Sequence, residues 1–187
     1  MNRGAEIGLR AILCTSTDRS DDILAEQARK WGFEVFRGDL QDVAKRAHDC
    51  CELHGLHRFV RVCGDSPFFD VSLARELLAL ARRGDLDMAY DSHPIRGSSI
   101  EVISAHAIEV AAREGSETER EHIGLHIRLN PGRFRLGALI GSHEDVSLTV
   151  DTDRDLKKAD WIARKKPTGF GEIARLAKQW ESRQSGW

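Results

Sequence analysis

Short apolar segments alternate with amphipathic segments through the first half of the chain, and no other feature constrains the fold as strongly. Four segments are typical of buried strands, at residues 10–15, 33–36, 58–63 and 87–90. The segments between them are typical of helices, at residues 20–31, 39–53 and 71–83, and a glycine follows each within two residues. Strands separated by helices of this length favour a parallel sheet with right-handed crossover connections.

The second half of the chain has a less regular pattern. Strand patterns lie at residues 98–104, 133–140 and 146–151, and helix patterns lie at 105–115, 118–130, 153–166 and 169–184. We find no internal repeat, low-complexity tract or linker, so we predict one α/β domain over residues 1–187 with a C-terminal helix within residues 167–187. The sheet is expected to be mainly parallel, with the strands around Glu101 and at residues 133–140 forming an antiparallel edge or arm.

The charge balance argues against nucleic acid as the main partner. Lys and Arg total 28 against 30 for Asp and Glu, a net charge of −2, whereas phosphate binding usually requires a basic excess. No apolar run approaches the roughly 20 residues of a membrane-spanning helix, and residues 1–10 lack the apolar core of a signal peptide. We therefore expect a cytoplasmic protein without nucleic-acid or membrane partners. The four cysteines have no metal-binding spacing and are expected to be free, buried thiols.

An acidic residue follows the predicted strand 58–63, in the stretch RVCGDSPFFD. Gly64 allows the backbone to turn, and Pro67 prevents the strand from pairing further. Asp65 is therefore expected at the carboxyl end of a strand, which is the edge where open α/β sheets bind ligands. The alternative is an Asx-turn, in which the Asp65 side chain caps its own loop.

A second acidic residue, Asp151, follows the predicted strand 146–151 in the stretch SLTVDTDRDL. If both strands are parallel, Asp65 and Asp151 lie at the same edge of the sheet. Two carboxylates at neighbouring strand ends suit Mg²⁺, which takes oxygen ligands and retains water that substrate phosphates can replace. We predict that the two residues lie close enough to share one hydrated ion. The alternative is that Thr152 or Asp153 caps the next helix and Asp151 only ends the strand.

Five segments resemble, in the same order, motifs of the cytidylyltransferases that activate acidic sugars. RVCGDSPFFD is similar to R-x-x-G-D-x-P-hydrophobic-hydrophobic-D of the spore coat polysaccharide biosynthesis protein F group, and to Q-G-D-E-P of CMP-KDO synthetases. FRGDLQDVAKR and IEVIS resemble F-R-G-x-x-x-D-V-x-x-R and G-x-E-V-F. EREHIGLHIRLNP and LTVDTDRDL resemble R-E-H-V-T-x-Y-I-x-x-x-P and L-T-V-D-T-x-x-D-L. The matched segments extend to about Ile162.

The resemblance implies a three-layer nucleotide-diphospho-sugar transferase fold, which is GT-A-like and Rossmann-like, and a homodimer. It implies that CMP is transferred from CTP to an acidic sugar of a surface polysaccharide, with Mg²⁺ present and pyrophosphate released. On this resemblance Asp65 and Asp151 are metal ligands and catalytic residues, and Arg37 is a catalytic residue that faces the nucleotide or the sugar. An ion pair with Asp39 or Asp42 is the alternative for Arg37.

Five residues are expected to bind substrate, again from the resemblance: Gly64, Pro67, Glu101, Glu121 and His122. Glu121 and His122 are expected near the sugar and the dimer region. The alternative for these two is an exposed pair on a helix surface.

One feature of the family has no counterpart in the sequence. Family members begin with a strand and a loop of the kind A-R-x-x-S-x-R-L-P-G-K, which cradles the triphosphate with backbone amides and basic side chains. The strand at residues 10–15 resembles the second strand of the family, and Arg3 and Gly4 do not replace the loop. We therefore expect an N-terminally truncated fold with an exposed sheet edge, and a chain that is incomplete or inactive as a transferase.

Two other functions remain as alternatives. The first is a non-catalytic member of the same family that acts as a binding or dimerisation partner. The second is a GT-A-like glycosyltransferase in which Asp151, Thr152 and Asp153 form a D-x-D metal motif.

Overall fold

The computed structural model describes residues 6–141 and 144–184, which form an α/β structure. The six strands of this part of the chain are β1 (Ile12–Ser16), β2 (Glu34–Gly38), β3 (Arg58–Val62), β4 (Met88–Asp91), β5 (Ile100–Ser104) and β6 (Leu136–Leu139). Its α-helices are α1 (Asp22–Lys30), α2 (Val43–His54), α3 (Val71–Arg83), α4 (Ala105–Glu114), α5 (Glu117–Glu121), α6 (Leu125–Leu129), α7 (Asp153–Arg164) and α8 (Phe170–Gln184). A short 3₁₀ helix, Arg19–Asp21, precedes α1. The predictions for Arg3 and Gly4, and the end of the predicted C-terminal helix at residues 185–187, lie outside the described residues.

The described strands form two sheets. β1 and β2 pair in parallel, and a four-stranded sheet has the order β3-β5-β4-β6. In the larger sheet β5 is antiparallel to β3 and β4, whereas β6 is parallel to β4. The predicted antiparallel edge is therefore wrong in two respects, since β5 lies inside the sheet and β6 is parallel. A short loop without a helix joins β4 to β5 and allows antiparallel pairing, while the helices between β5 and β6 provide the crossover that a parallel neighbour requires.

Four strand edges in the described ranges have no partner strand, one each on β1, β2, β3 and β6. Within the described ranges, β1 pairs with β2 alone and β3 pairs with β5 alone. All five residues of β3 are half-buried, whereas all five residues of β5 are buried. A cavity of about 320 Å³ lies beside β3, and its lining includes Leu9, Arg58 and Val60. Because every open sheet has such edges, the predicted loss of an N-terminal strand stays a prediction.

Helices cover both faces of the larger sheet. Because side chains alternate along a strand, Ile100 and Val102 of β5 pack on the side of α3, where Leu77 is fully buried. Ile103 packs on the opposite side with Ile108 of α4. Full burial of each such side chain stabilises the fold by about 1.5–3 kcal/mol.

A third apolar cluster holds the C-terminal helices against the chain before them. Leu148, Ile162 of α7 and Ile173 of α8 are fully buried and pack together in it. This cluster fixes the position of the segment that leads into α7. No helix of the described residues has the length and apolar character that crossing a membrane requires.

Two predicted elements differ from the observed structure near the carboxyl ends of the strands. The helix predicted at residues 118–130 is divided into α5 and α6, and Gly124 lies between them with a left-handed φ of +84°. The strand predicted at residues 146–151 forms only one isolated bridge, between Ser147 and Arg96. Its amide groups bond loop residues: Leu148 N–H donates to the Arg96 carbonyl at 2.7 Å. The segment is extended because it docks on loops, and it is not part of the sheet.

Candidate functional site

Asp65 lies in a tight turn directly after β3. The Ser66 amide donates to the Cys63 carbonyl at 3.1 Å and closes this turn, and the Ser66 hydroxyl donates to the Asp65 carboxylate at 2.9 Å. The following helix, α3, is capped by Asp70, whose carboxylate accepts the Ser72 amide at 2.9 Å. Asp65 itself is exposed and accepts no cap hydrogen bond from a backbone amide in the described structure. The Asx-turn alternative is therefore not observed.

The fold brings Asp151 beside Asp65, although the two are far apart in the sequence. The amide of Val150 donates to the Asp65 carbonyl at 2.9 Å, so the backbone next to Asp151 contacts the turn after β3. The Asp151 side chain is 47% exposed, and its carboxylate pairs with Arg96 at 3.3 Å. The two acids thus lie on neighbouring segments, but Asp151 does not follow a strand of the sheet, and the sharing of one ion by the two carboxylates stays a prediction.

The cap of α7 leaves the Asp151 side chain free of any capping role. Thr152 is the N-cap residue: its hydroxyl accepts the Asp155 amide, and the Asp155 carboxylate accepts the Thr152 amide at 3.0 Å. Of the two predicted caps, Thr152 is therefore correct, whereas Asp153 is the first residue of the helix. The hydrogen bond from the Thr152 hydroxyl lowers the pKa of Asp155.

Arg37 is held by the neighbouring β1 segment. Its Nε donates to the Ser16 carbonyl at 2.7 Å and its Nη2 donates to the Asp18 carbonyl at 2.8 Å. Its Nη1 pairs with Asp22 at 2.7 Å. The predicted alternative partners, Asp39 and Asp42, are therefore both wrong.

The two rejected partners of Arg37 are used elsewhere. Asp39 accepts the amides of Gln41 and Asp42, each at 2.8 Å, in the turn before α2. This turn also explains why α2 begins at Val43 and not at Asp39 as predicted. Asp42 caps α2 and pairs with Arg120 at 2.9 Å.

Asp21 organises the carboxyl end of β1, a role that the sequence analysis missed. Its carboxylate accepts the hydroxyl groups of Ser16 at 2.6 Å and Thr15 at 2.7 Å, together with the Ser16 amide at 2.9 Å. These bonds, led by that of the Ser16 hydroxyl, lower the pKa of Asp21 from 3.8 to about 2. The run of hydroxyl residues in TSTD at the strand end was the available signal.

Glu101 is a buried carboxylate between two arginines. Its side chain is 6% exposed, and it pairs with Arg61 at 2.8 Å and with Arg128. Arg61 stands opposite Glu101 in the pairing of β3 with β5, and Arg128 comes from α6. Gly124 packs against the same carboxylate, since a Cβ there would lie 3.2 Å from Glu101 Oε1. Sequence reasoning identified Glu101 but neither of its partners.

Cys63 connects this buried cluster to the turn of Asp65. Burial raises the pKa of the Cys63 thiol, and the negative charges of Asp65 and Glu101 raise it further. Arg61 opposes this rise through its charge and through a hydrogen bond to the thiol. The charges of the two carboxylates and of the guanidinium therefore all act on the Cys63 thiol.

The remaining predicted substrate residues are on the surface. Gly64 and Pro67 are exposed in the turn after β3, and a Cβ at Gly64 would meet open space. Glu121 ends α5 and His122 follows it, both exposed. A substrate contact for these four residues stays a prediction.

Comparison with known proteins identifies the family to which this architecture corresponds. The family model described as "Cytidylyltransferase" matches residues 6–179. The chain is 28% identical over 160 residues to the spore coat polysaccharide biosynthesis protein SpsF of Bacillus subtilis, covering 82% of this chain and 67% of that protein. It is also 28% identical over 151 residues to an uncharacterized protein of Methanocaldococcus jannaschii, covering 78% of this chain. Of that relative's length, the chain spans 62%.

Solved structures give the same fold. A cytidylyltransferase from Leptospira borgpetersenii superimposes with a TM-score of 0.81 at 24% identity, over 91% of this chain and 76% of that one. A CMP:2-keto-3-deoxy-manno-octonic acid synthetase complexed with CTP superimposes with a TM-score of 0.64 at 13% identity, over 88% of this chain and 86% of that one. The chain therefore has the fold of these two proteins.

Proposed function

Since the chain belongs to the cytidylyltransferase family, we propose that it serves the transfer of CMP from CTP to an acidic sugar in surface polysaccharide biosynthesis. The observation that carries this proposal is the contact between the Asp65 turn and the segment of Asp151, made by the Val150 amide at 2.9 Å. The segments that carry two solvent-accessible carboxylates meet there, in a chain of the cytidylyltransferase family. The name of the SpsF relative supports the polysaccharide context, and the CTP complex of the structural neighbour supports the nucleotide.

In the proposed reaction, the anomeric hydroxyl of the sugar attacks the α-phosphorus of CTP. A phosphorus–oxygen bond to the sugar forms, the bond between the α-phosphorus and the bridging oxygen breaks, pyrophosphate leaves with the electron pair, and the hydroxyl proton passes to solvent. Catalysis of such a transfer depends mainly on positioning and on stabilising negative charge.

The carboxylates fit a magnesium ion by their chemistry and exposure. Asp65 and Asp151 offer oxygen ligands of the kind that Mg²⁺ prefers, and both are accessible to solvent. A bound Mg²⁺ supplies positive charge to the phosphates of the nucleotide. Arg96 pairs with Asp151 at 3.3 Å, so this arginine would have to leave the carboxylate, or turn to the phosphates, for Asp151 to hold an ion.

We also propose that these 187 residues need a nucleotide-binding loop from outside the described structure. Within the described ranges, the unpaired edges of β1 and β3 leave room for another strand. Such a strand would aim a loop at the carboxyl ends where Asp65 lies. A homodimer, with Glu121 and His122 near the sugar and the subunit contact, belongs to the same proposal.

The test measures pyrophosphate release from CTP in the presence of Mg²⁺ and 2-keto-3-deoxy-manno-octonic acid. The 187-residue chain is compared with a version extended at its N-terminus by the loop of the family. We expect turnover by the extended version alone. In that version, Asp65→Asn and Asp151→Asn should each lower the rate by roughly 10²–10³-fold, as loss of one well-placed stabilising group does.

Asp160→Asn is the matched control, because Asp160 is an exposed acid of α7 whose ion pair in the described structure is with Arg164. It should leave the rate unchanged. Turnover that survives both Asp65→Asn and Asp151→Asn would contradict the proposed metal site. Turnover by the unextended chain would contradict the proposed need for the loop.

A further inference from the structure

The cluster of Arg61, Glu101 and Arg128 places more positive charge at the site than its buried carboxylate neutralises. Glu101 is 95% buried and carries one negative charge, whereas two guanidinium groups contact it. A buried carboxylate requires a partner, and one arginine with bidentate geometry satisfies that need. Here each arginine uses one terminal nitrogen on a different oxygen of Glu101. The cluster therefore has a net charge of +1 and retains unused donors.

The unused donors face the solvent. The side chain of Arg61 is 30% exposed and that of Arg128 is 37% exposed, in contrast to the 6% of Glu101. Among the described residues, Arg61 and Arg128 both form their ion pair with Glu101. Glu101 itself is closed off by Gly124, so a ligand reaches the arginines and not the carboxylate.

The cluster lies close to the acids of the candidate site. Arg61 is the fourth residue of β3, and the turn that carries Asp65 directly follows this strand. A ligand held by the guanidinium groups would therefore lie next to the carboxylates proposed to hold Mg²⁺.

We propose that Arg61 and Arg128 form the subsite that binds the carboxylate of the acidic sugar, and that Glu101 is a positioning residue that aligns both guanidinium groups. This inference rests on the proposed function, since it names the group of the sugar that is recognised. A planar guanidinium presents paired N–H donors that match a carboxylate, and two of them aligned by a shared buried anion lose little side-chain freedom on binding.

Arg128→Met is the most informative variant, because Glu101 keeps its 2.8 Å pair with Arg61 and the buried charge is not left alone. Binding of 2-keto-3-deoxy-manno-octonic acid to the 187-residue chain is measured by calorimetry, and folding is checked by thermal unfolding. We expect Kd to rise about 10- to 100-fold, which corresponds to the loss of one or two charge-assisted hydrogen bonds. Arg128→Lys should restore only part of the affinity, since an ammonium group lacks the planar fork.

Two controls separate this inference from a structural role. Arg133→Met removes an arginine that pairs with Glu114 on the surface at 2.7 Å, and it should leave Kd unchanged. The methyl ester of the sugar acid removes the ligand's charge, and its binding to the wild type should be as weak as that of the acid to Arg128→Met. The ester is also compared on both proteins, and its Kd should be the same for the wild type and for Arg128→Met.

Three results would overturn the subsite: equal affinity for the acid in wild type and Arg128→Met, equal affinity of the wild type for acid and ester, or no binding of the acid to the wild type. A fourth is that Arg128→Met weakens binding of CTP and not of the sugar acid, which would assign the arginines to phosphate. Failure of the proposed transferase activity is distinguished by pyrophosphate release, since an Arg128-dependent affinity for the acid can persist without turnover.

Discussion

Replacing Gly97 by alanine tests how the Asp151 segment is held. Gly97 has a φ of +82°, and a Cβ at this position would lie 2.1 Å from the Thr149 nitrogen and 2.4 Å from the Leu148 carbonyl carbon. Both atoms belong to the backbone, so no side chain can rotate away. The left-handed conformation costs alanine about 1–2 kcal/mol, and overpacking of this kind adds about 1–3 kcal/mol. We therefore expect Gly97→Ala to lower the free energy of unfolding by about 2–5 kcal/mol.

Gly55→Ala is the matched control. Gly55 ends α2 with a φ of +60°, but a Cβ there has no atom within 4 Å. The free energy of unfolding of Gly55→Ala should fall only by the cost of the left-handed conformation, about 1–2 kcal/mol. The difference between the two variants, about 1–3 kcal/mol, isolates the contact of Gly97 with residues 148 and 149.

The assay is urea denaturation of both variants and the wild type, with the midpoint and slope fitted separately. Mg²⁺ binding is measured on the same samples, because relief of the clash moves the segment that carries Asp151. Equal losses of stability in Gly97→Ala and Gly55→Ala would refute the reasoning, since the steric contact would then have no energetic effect.

Three further predictions concern single side chains. Protonation of Asp21 should destabilise the protein as the pH falls from 3.8 toward 2, because its folded pKa of about 2 lies below its ordinary value. When stability is followed by circular dichroism during acid titration, Asp21→Asn should not show this loss. Thr152→Ala should lower the free energy of unfolding by about 1 kcal/mol through loss of the α7 cap, and Thr152→Ser should restore it in urea denaturation. Arg37→Met should lower the free energy of unfolding by about 1–3 kcal/mol, because three hydrogen bonds are lost, and Arg37→Lys should recover little of this loss. An Arg37→Met variant as stable as the wild type would show that these bonds are not needed for folding.

Local patterns were sufficient to predict the elements of the first half of the chain. Apolar runs beside helix signals located β1, β2, β3 and β4 within a few residues, because each is a short strand next to at least one helix in the chain. The capping residues were less certain from sequence. Thr152 and Asp153 are both good N-cap residues, and the choice of Thr152 depends on the reciprocal bond with Asp155.

Pairing of distant segments could not be predicted from the same patterns. The position of β5 inside the sheet depends on which strands meet, and a strand's own sequence does not encode its neighbours. The alternating pattern at residues 146–151 predicted a strand, but the segment meets Arg96 and Asp65 in loops. Likewise, the pattern around Glu101 identified a carboxylate without its partners, because Arg61 and Arg128 are separated from it by 40 and 27 residues.

The candidate site is therefore built from loop contacts placed on a rigid sheet. β3 positions the Asp65 turn, while Asp151 is positioned by the docking of residues 146–151 on the loop of Arg96 and by the buried Leu148. β3 packs with α3 and α4, whereas Phe68, which follows Asp65 in the chain, is buried in the same apolar cluster as Leu148. The distance between the carboxylates consequently depends on how the Asp65 turn and the Asp151 segment are held together. The 2.9 Å bond from the Val150 amide to Asp65 is a direct link between them, and metal binding across it would stabilise the C-terminal helices as well as the site.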